Sequence, residues 1–225
     1  MKTKRISASL MCANPIYLKK TLDMLDIQNI DYLHIDIMDG HFVPNLGIGI
    51  DYLKILRSCT SLPFDYHLMV LNPEDILPLL DLQPDDIVSI HYESSYRIQK
   101  TLSTAKNYNC KVFLAINPST SINVLEELLC YIDGINVLMV KPGFAGQKII
   151  PSCISKTVEL QGFLSKQCNQ NIDIEVDGNI TFENANKLSK IGANIFVAGT
   201  SSIFGYDGII EGSISMLRKS ISCVI

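Results

Sequence analysis

The chain has 225 residues, 47% of them hydrophobic and 19% charged, with a mean hydropathy of +0.21. That composition supports a large buried core and excludes a disordered chain. The 19 basic and 23 acidic side chains leave a net charge of −4 with no basic block, which excludes a nucleic-acid backbone as the main partner.

No apolar run reaches the roughly 18 residues a membrane helix needs. The basic start Met1-Lys2-Thr3-Lys4-Arg5 leads into Ile6 to Met11, too short and polar for a signal-peptide core, so a cytoplasmic protein is expected. Cysteines stand at 12, 59, 110, 130, 153, 168 and 223. Their odd number and the lack of any Cys-x-x-Cys argue against a disulfide framework or a thiolate zinc site, and predict buried, reduced thiols.

Along the chain two periods alternate. Short apolar runs predict strands at Ile6–Met11, Tyr32–Ile37, Phe64–Met69, Ile87–His91, Val112–Ile116, Gly134–Val140, Ile172–Val176 and Ile195–Ala198. Helical spacing fills the intervals, with one stripe at Leu18, Leu22, Met24 and Leu25 and another at Ile122, Leu125, Leu128 and Leu129. Pro15 and Pro73 sit where a first helical turn tolerates proline, and Thr181 before Phe182-Glu183-Asn184 reads as a capping hydroxyl. Eight strand–helix units with no linker or composition shift predict one α/β domain over 1–225, a single (β/α)8 TIM barrel. A doubly wound open sheet is the alternative, but no Gly-x-Gly-x-x-Gly follows the first strand.

Barrel chemistry sits at the C-terminal ends of strands, and polar residues gather there. Alternate strand residues share a face, so His34, Asp36 and Met38 point inward while Ile35 and Ile37 face the helices. The third predicted strand ends with His67 and Met69, and the seventh leads into Asp177. Isolated imidazoles and carboxylates are costly to bury, so a set of two histidines and two aspartates around one mouth predicts a divalent metal. Such a set suits zinc, iron(II), cobalt or manganese better than calcium. His91 and Glu93, after the fourth strand, are either a supporting pair or a satisfied polar pair.

Glycine-rich loops follow the last three strands. They are Lys141-Pro142-Gly143-Phe144-Ala145-Gly146-Gln147, Asp177-Gly178-Asn179 and Gly199-Thr200-Ser201-Ser202. Small residues let backbone N–H groups approach an anion, and barrels commonly bind phosphate after strands 7 and 8. Three such loops opposite the metal set predict a phosphorylated small-molecule substrate.

Several segments together resemble the ribulose-phosphate 3-epimerase family. They are Ser9-Leu10-Met11-Cys12-Ala13, the block from His34 to Asn45, Asp65 to Met69, Asn117-Pro118, Pro142 to Gln147, Glu175 to Gly178 and Val197 to Thr200. The resemblance implies an isomerase built as a (β/α)8 barrel, commonly a homo-oligomer. It implies one divalent metal per chain, zinc foremost, held by His34, Asp36, His67 and Asp177, with Asp36 and Asp177 as the acid–base pair. It further implies substrate contacts at Ser9, His67, Gly143, Phe144, Ala145, Gly146, Asp177, Gly178, Asn179, Gly199, Thr200 and Ser201. The implied reaction interconverts D-ribulose 5-phosphate and D-xylulose 5-phosphate through a metal-stabilised enediolate.

This chain departs from the family pattern at Ala145, where a glycine is usual, and at Asn179, where Asp-Gly-Gly is usual. It also departs on strand 6, with Leu138-Met139, and at Lys141. Several segments look more like the allulose-6-phosphate 3-epimerase branch, so conversion of D-allulose 6-phosphate to D-fructose 6-phosphate is the second expectation. A phosphate-binding decarboxylase barrel lacks its expected strand-end lysine. A catalytically silent sugar-phosphate barrel is disfavoured by the intact Asp36 and Asp177.

Overall fold

The computed structural model describes residues 2–167 and 171–222. Eight strands close into an all-parallel barrel in sequence order. They are β1 (Arg5–Ser9), β2 (Tyr32–Met38), β3 (Phe64–Met69), β4 (Ile87–His91), β5 (Lys111–Ile116), β6 (Gly134–Leu138), β7 (Asp173–Asp177) and β8 (Ile195–Ala198). The closed sheet, not the open one, is therefore the architecture. The expected strand runs agree within a residue or two at most ends. β1 and β6 stop two residues early, where the chain turns out of the sheet.

The α-helices are α1 (Leu18–Ile27), α2 (Ile50–Cys59), α3 (Ile98–Ala105), α4 (Pro151–Lys166), α5 (Phe182–Ile191) and α6 (Ser213–Ser222). Leu22 and Leu25 of the α1 stripe are buried, and Thr181 caps α5 by accepting the Asn184 N–H at 3.1 Å. Two intervals lack an α-helix. After β3 the chain makes 3-10 turns at Pro73–Asp75 and Leu77–Leu79. Pro78 has no N–H to donate there, and its ring would clash inside a longer helix. After β5, 3-10 turns cover Ile122–Leu125 and Leu129–Tyr131 in place of the expected helix. The stripe itself is real, since Ile122, Leu125, Leu128 and Leu129 are all buried. The reason lies in its spacing: residues 122, 125 and 128 are three apart, which matches three residues per turn.

Outward strand residues such as Ile35, Ile37, Leu68, Ile90, Leu114 and Val176 pack into the shell beneath the helices. The barrel interior is layered. At its N-terminal end Tyr32, Ile87, Phe113 and Ile195 form an apolar plug. Gly134 lets the Phe113 ring lie flat across β6, because a Cβ there would fall 2.4–2.6 Å from three ring atoms. Below the plug Asp173 is paired with Arg5 and, at 3.0 Å, with Lys2. Above it the interior becomes polar, with Ser7, His34, Asp65, Ser89, Asn136 and Glu175 all buried.

The cysteine expectation needs correction. Cys12, Cys59, Cys110, Cys130 and Cys153 are free, yet only Cys153 is fully buried and Cys130 is exposed. The sequence neighbours of a cysteine do not reveal which face of a helix or turn it occupies. Cys168 and Cys223 lie outside the described residues. Among the described residues, no helix is long and apolar enough to cross a membrane.

Candidate active site

Three strands bring the four expected ligands together at the C-terminal end of the barrel. His34 and Asp36 come from β2, His67 from β3 and Asp177 from the end of β7. Register does the placing: Asp36 pairs with His67, and Leu138 of β6 with Asp177. One donor atom from each of the four residues lies within 4.8 Å of all the others. His34 Nε2 lies 3.4 Å from Asp36 Oδ1 and 3.7 Å from Asp177 Oδ2. His67 Nδ1 lies 3.3 Å and 3.4 Å from the same two oxygens.

These separations fit a cation. Four ligands about 2.1 Å from a common centre stand about 3.4 Å apart along tetrahedral edges. His34 Nε2 is buried without a hydrogen-bond partner, which is costly unless something occupies its lone pair. Two imidazole nitrogens and two carboxylate oxygens also match a zinc-type donor set.

The surrounding shell fixes each histidine. His34 Nδ1 donates to Asp65 Oδ2 at 2.8 Å, and the same oxygen accepts the Ser7 hydroxyl at 2.7 Å. Nε2 is thus the free atom of His34. His67 Nε2 meets His91 Nε2 at 2.8 Å, and His91 Nδ1 lies 3.2 Å from Glu93 Oε2. Burial, with His67 nearby, pulls the His91 imidazole down to about 4, so it is neutral near pH 7. His67 Nε2–H therefore donates to His91, whose own proton sits on Nδ1 facing Glu93. Glu93 Oε1 in turn accepts the Asn117 N–H at 3.1 Å and the Thr120 hydroxyl. This chain leaves Nδ1 as the free atom of His67, and such partners orient metal ligands and raise their basicity.

Charge in the site is balanced from below. Burial disfavours the Asp36 carboxylate, but His34 and His67 overcome this and hold it below the ordinary carboxylate range. Burial likewise opposes charge on His34, yet Asp65 and Asp36 raise its imidazole well above the ordinary range. Glu175 goes the other way: burial, reinforced by the Asp65 charge, keeps its carboxyl protonated well above the ordinary value. Asp65 and Glu175 belong to the site and were missed as such in the sequence. The signal was there, since each lies two residues before an expected ligand and so shares its inward face.

Asp36, His67 and Asp177 floor a cleft of about 580 Å³, counted to its open mouth, and His34 lies fully buried beneath. Every other residue expected to touch substrate lines this cleft: Ser9, Gly143, Phe144, Ala145, Gly146, Gly178, Asn179, Gly199, Thr200 and Ser201. Gly178 is required, since its φ is +109° and a Cβ would fall 2.6 Å from Val140. Lys141 lines the mouth, a position the sequence had left unexplained. Met69 and Met11 wall the cleft, and Met38 packs with Met69 and Val43 behind it. Met139, a departure from the family pattern, is fully buried among the shell residues and away from the cleft.

Comparison with known proteins gives consistent matches. A likeness in fold alone links the chain to a mutant tryptophan synthase alpha-subunit from Pyrococcus furiosus, with TM-score 0.65, 14% identity, and 98% of each chain covered. Phosphoribosyl anthranilate isomerase from Thermus thermophilus gives 0.64 and 11%, covering 97% of this chain and 98% of that one. Among sequence relatives, a ribulose-phosphate 3-epimerase of Buchnera aphidicola (subsp. Baizongia pistaciae) is 38% identical over 99% of both chains. The Bacillus subtilis ribulose-phosphate 3-epimerase is 33% identical over 89% of this chain and 92% of its own, and that of Aquifex aeolicus is 39% identical over 78% of both. The profile of the "Ribulose-phosphate 3 epimerase family" matches residues 5–204, and the chain therefore belongs to that family of isomerases.

Proposed function

We propose that this chain is one catalytic barrel that interconverts D-ribulose 5-phosphate and D-xylulose 5-phosphate by moving a proton at carbon 3. One observation carries the reading: Asp36 Oδ1 and Asp177 Oδ2 converge on the same two imidazole nitrogens at the floor of the cleft. Inverting a carbon beside a ketone requires a base on one face and an acid on the other. Two carboxylates meeting from β2 and β7 meet that need: one takes the proton, and the other, protonated, returns one to the opposite face.

His34 Nε2, Asp36, His67 Nδ1 and Asp177 would hold a divalent cation, zinc foremost. Such a cation supplies Lewis acidity that polarises the ketone oxygen and offsets negative charge as the proton leaves. Ser9 Oγ donates to Asp36 Oδ2 at 3.3 Å and so steadies that carboxylate in one orientation. The methionines give an apolar wall that excludes water from one side of a planar intermediate. The loops after β6, β7 and β8 take the phosphate, and that remote binding energy orients carbon 3 over the carboxylates.

The test is the ratio of kcat/KM for D-ribulose 5-phosphate over D-allulose 6-phosphate, measured with metal-replete protein. One extra carbon in a shaped pocket is worth roughly 10–200-fold. A ratio well above ten is expected. A ratio well below one replaces this reading with a hexulose-phosphate epimerase in which Ala145 and Asn179 set sugar length. Bound metal without proton exchange on either sugar leaves only a silent sugar-phosphate barrel.

A further inference from the structure

Asn179 stands at a position where the family usually has glycine, and it keeps the backbone that glycine would favour, with φ +53°. Its side chain adds what glycine lacks. Oδ1 accepts the Ile149 N–H from the β6–α4 loop at 3.2 Å, and Nδ2 donates to Ser201 Oγ in the loop after β8 at 3.0 Å. Its own carbonyl accepts the Asn184 side-chain amide at 2.9 Å, anchoring it to α5. One residue thus ties together the three loops that line the cleft.

The bond directions are settled by chemistry. A backbone N–H can only donate, so the atom facing Ile149 is the amide oxygen and the atom facing Ser201 is the amide nitrogen. Ser201 Oγ must then accept, which leaves its proton to offer elsewhere. Ser201 lines the cleft beside Gly178, Gly199 and Thr200. A hydroxyl that accepts from the amide keeps its proton free to donate, and that suits an oxyanion, which only accepts.

We propose that Asn179 is a positioning residue for the substrate's phosphate, turning the Ser201 hydroxyl into a fixed donor while clasping the loops after β6, β7 and β8. The inference rests on reading the cleft as a sugar-phosphate site. Asn179→Asp is the informative variant, because aspartate tolerates the left-handed backbone and nearly preserves shape. Its carboxylate accepts both the Ile149 N–H and the Ser201 O–H, so the hydroxyl proton turns away from the cleft.

The probe is inorganic phosphate as a competitive inhibitor of the metal-loaded enzyme, with D-ribulose 5-phosphate as substrate. The metal ligands are unchanged in every variant, so differences in Ki report the loops. Asn179→Asp is expected to raise Ki for phosphate and KM for the sugar phosphate together by at least about tenfold, the scale of one hydrogen bond to a charged group. Ser201→Ala is expected to lose roughly as much, and Ser201→Thr, which keeps the hydroxyl, to restore most of it. Asn179→Gly is expected to cost roughly three- to tenfold alone and nothing further in the Ser201→Ala background, because the two act as one unit. Equal phosphate Ki in wild type and Asn179→Asp overturns the proposal, as does simple additivity of Asn179→Gly and Ser201→Ala. A wild-type enzyme that phosphate does not inhibit instead removes the sugar-phosphate reading on which the proposal rests.

Discussion

Replacing Asp65 with asparagine isolates what the shell around the candidate metal ligands contributes. Asp65 is fully buried, and its Oδ2 accepts both the His34 Nδ1–H at 2.8 Å and the Ser7 hydroxyl at 2.7 Å. The amide oxygen of asparagine can take over both bonds. Its NH2 would occupy the place of Oδ1, which has no partner and lies in the same buried cluster as Glu175. Shape and hydrogen bonds therefore persist while the negative charge behind the imidazole is lost. A neutral partner makes His34 Nε2 a weaker donor, and changes of this kind cost about 10–100-fold in metal affinity. That corresponds to about 1.4–2.8 kcal/mol. The assay is a zinc titration against a competing chromophoric chelator, with circular dichroism to confirm that the variant retains its fold. A folded Asp65→Asn protein with wild-type zinc affinity would show that Asp65 does not set the basicity of His34, and the reasoning would fail.

Two further outcomes follow from the same structure. Asp177→Asn, which keeps the shape of the carboxyl, should lower turnover at least about a hundredfold in both directions; near-normal turnover would remove Asp177 as an acid–base group. At the other end of the barrel, burial opposes the Asp173 carboxylate, but Arg5 and Lys2 hold it below its ordinary value. Its folded pKa is depressed, so its stabilisation is fully present above about pH 4, the unfolded value, and fades as pH falls through the lower folded value. Asp173→Asn should therefore lower Tm at pH 7 by several degrees, for a loss of about 1–3 kcal/mol. The gap from wild type should close in acid, and a gap that stays constant down to pH 2 would contradict the assignment.

Much of the site was legible because a strand has a period of exactly two residues. Once His34 and Asp36 were placed on one strand, their shared face followed, and the strand ends at His67 and Asp177 supplied the rest. The same rule applied to Asp65 and Glu175, two residues before His67 and Asp177. They went unread because barrel interiors are dominated by branched apolar residues, and nothing local marks a strand as one that departs from this. His91 and Glu93 stood undecided because their meaning depends on the 2.8 Å approach of His67 from a neighbouring strand.

By itself, the sequence determined the eightfold alternation of strands and helical segments, the inward face of β2, the loops rich in glycine and the family. These depend on local period and on motifs read along one chain. The tertiary structure bore out the expected closed sheet, with β1 pairing with β8 across nearly the whole chain. It alone decided that two intervals wind as 3-10 turns, where a spacing of three and the prolines outweigh helix propensity. The free nitrogen of each histidine, and the Asn179 clasp joining Ile149 to Ser201, belong to the same class. They arise from register between strands and approach between loops, for which distance along the chain carries no information.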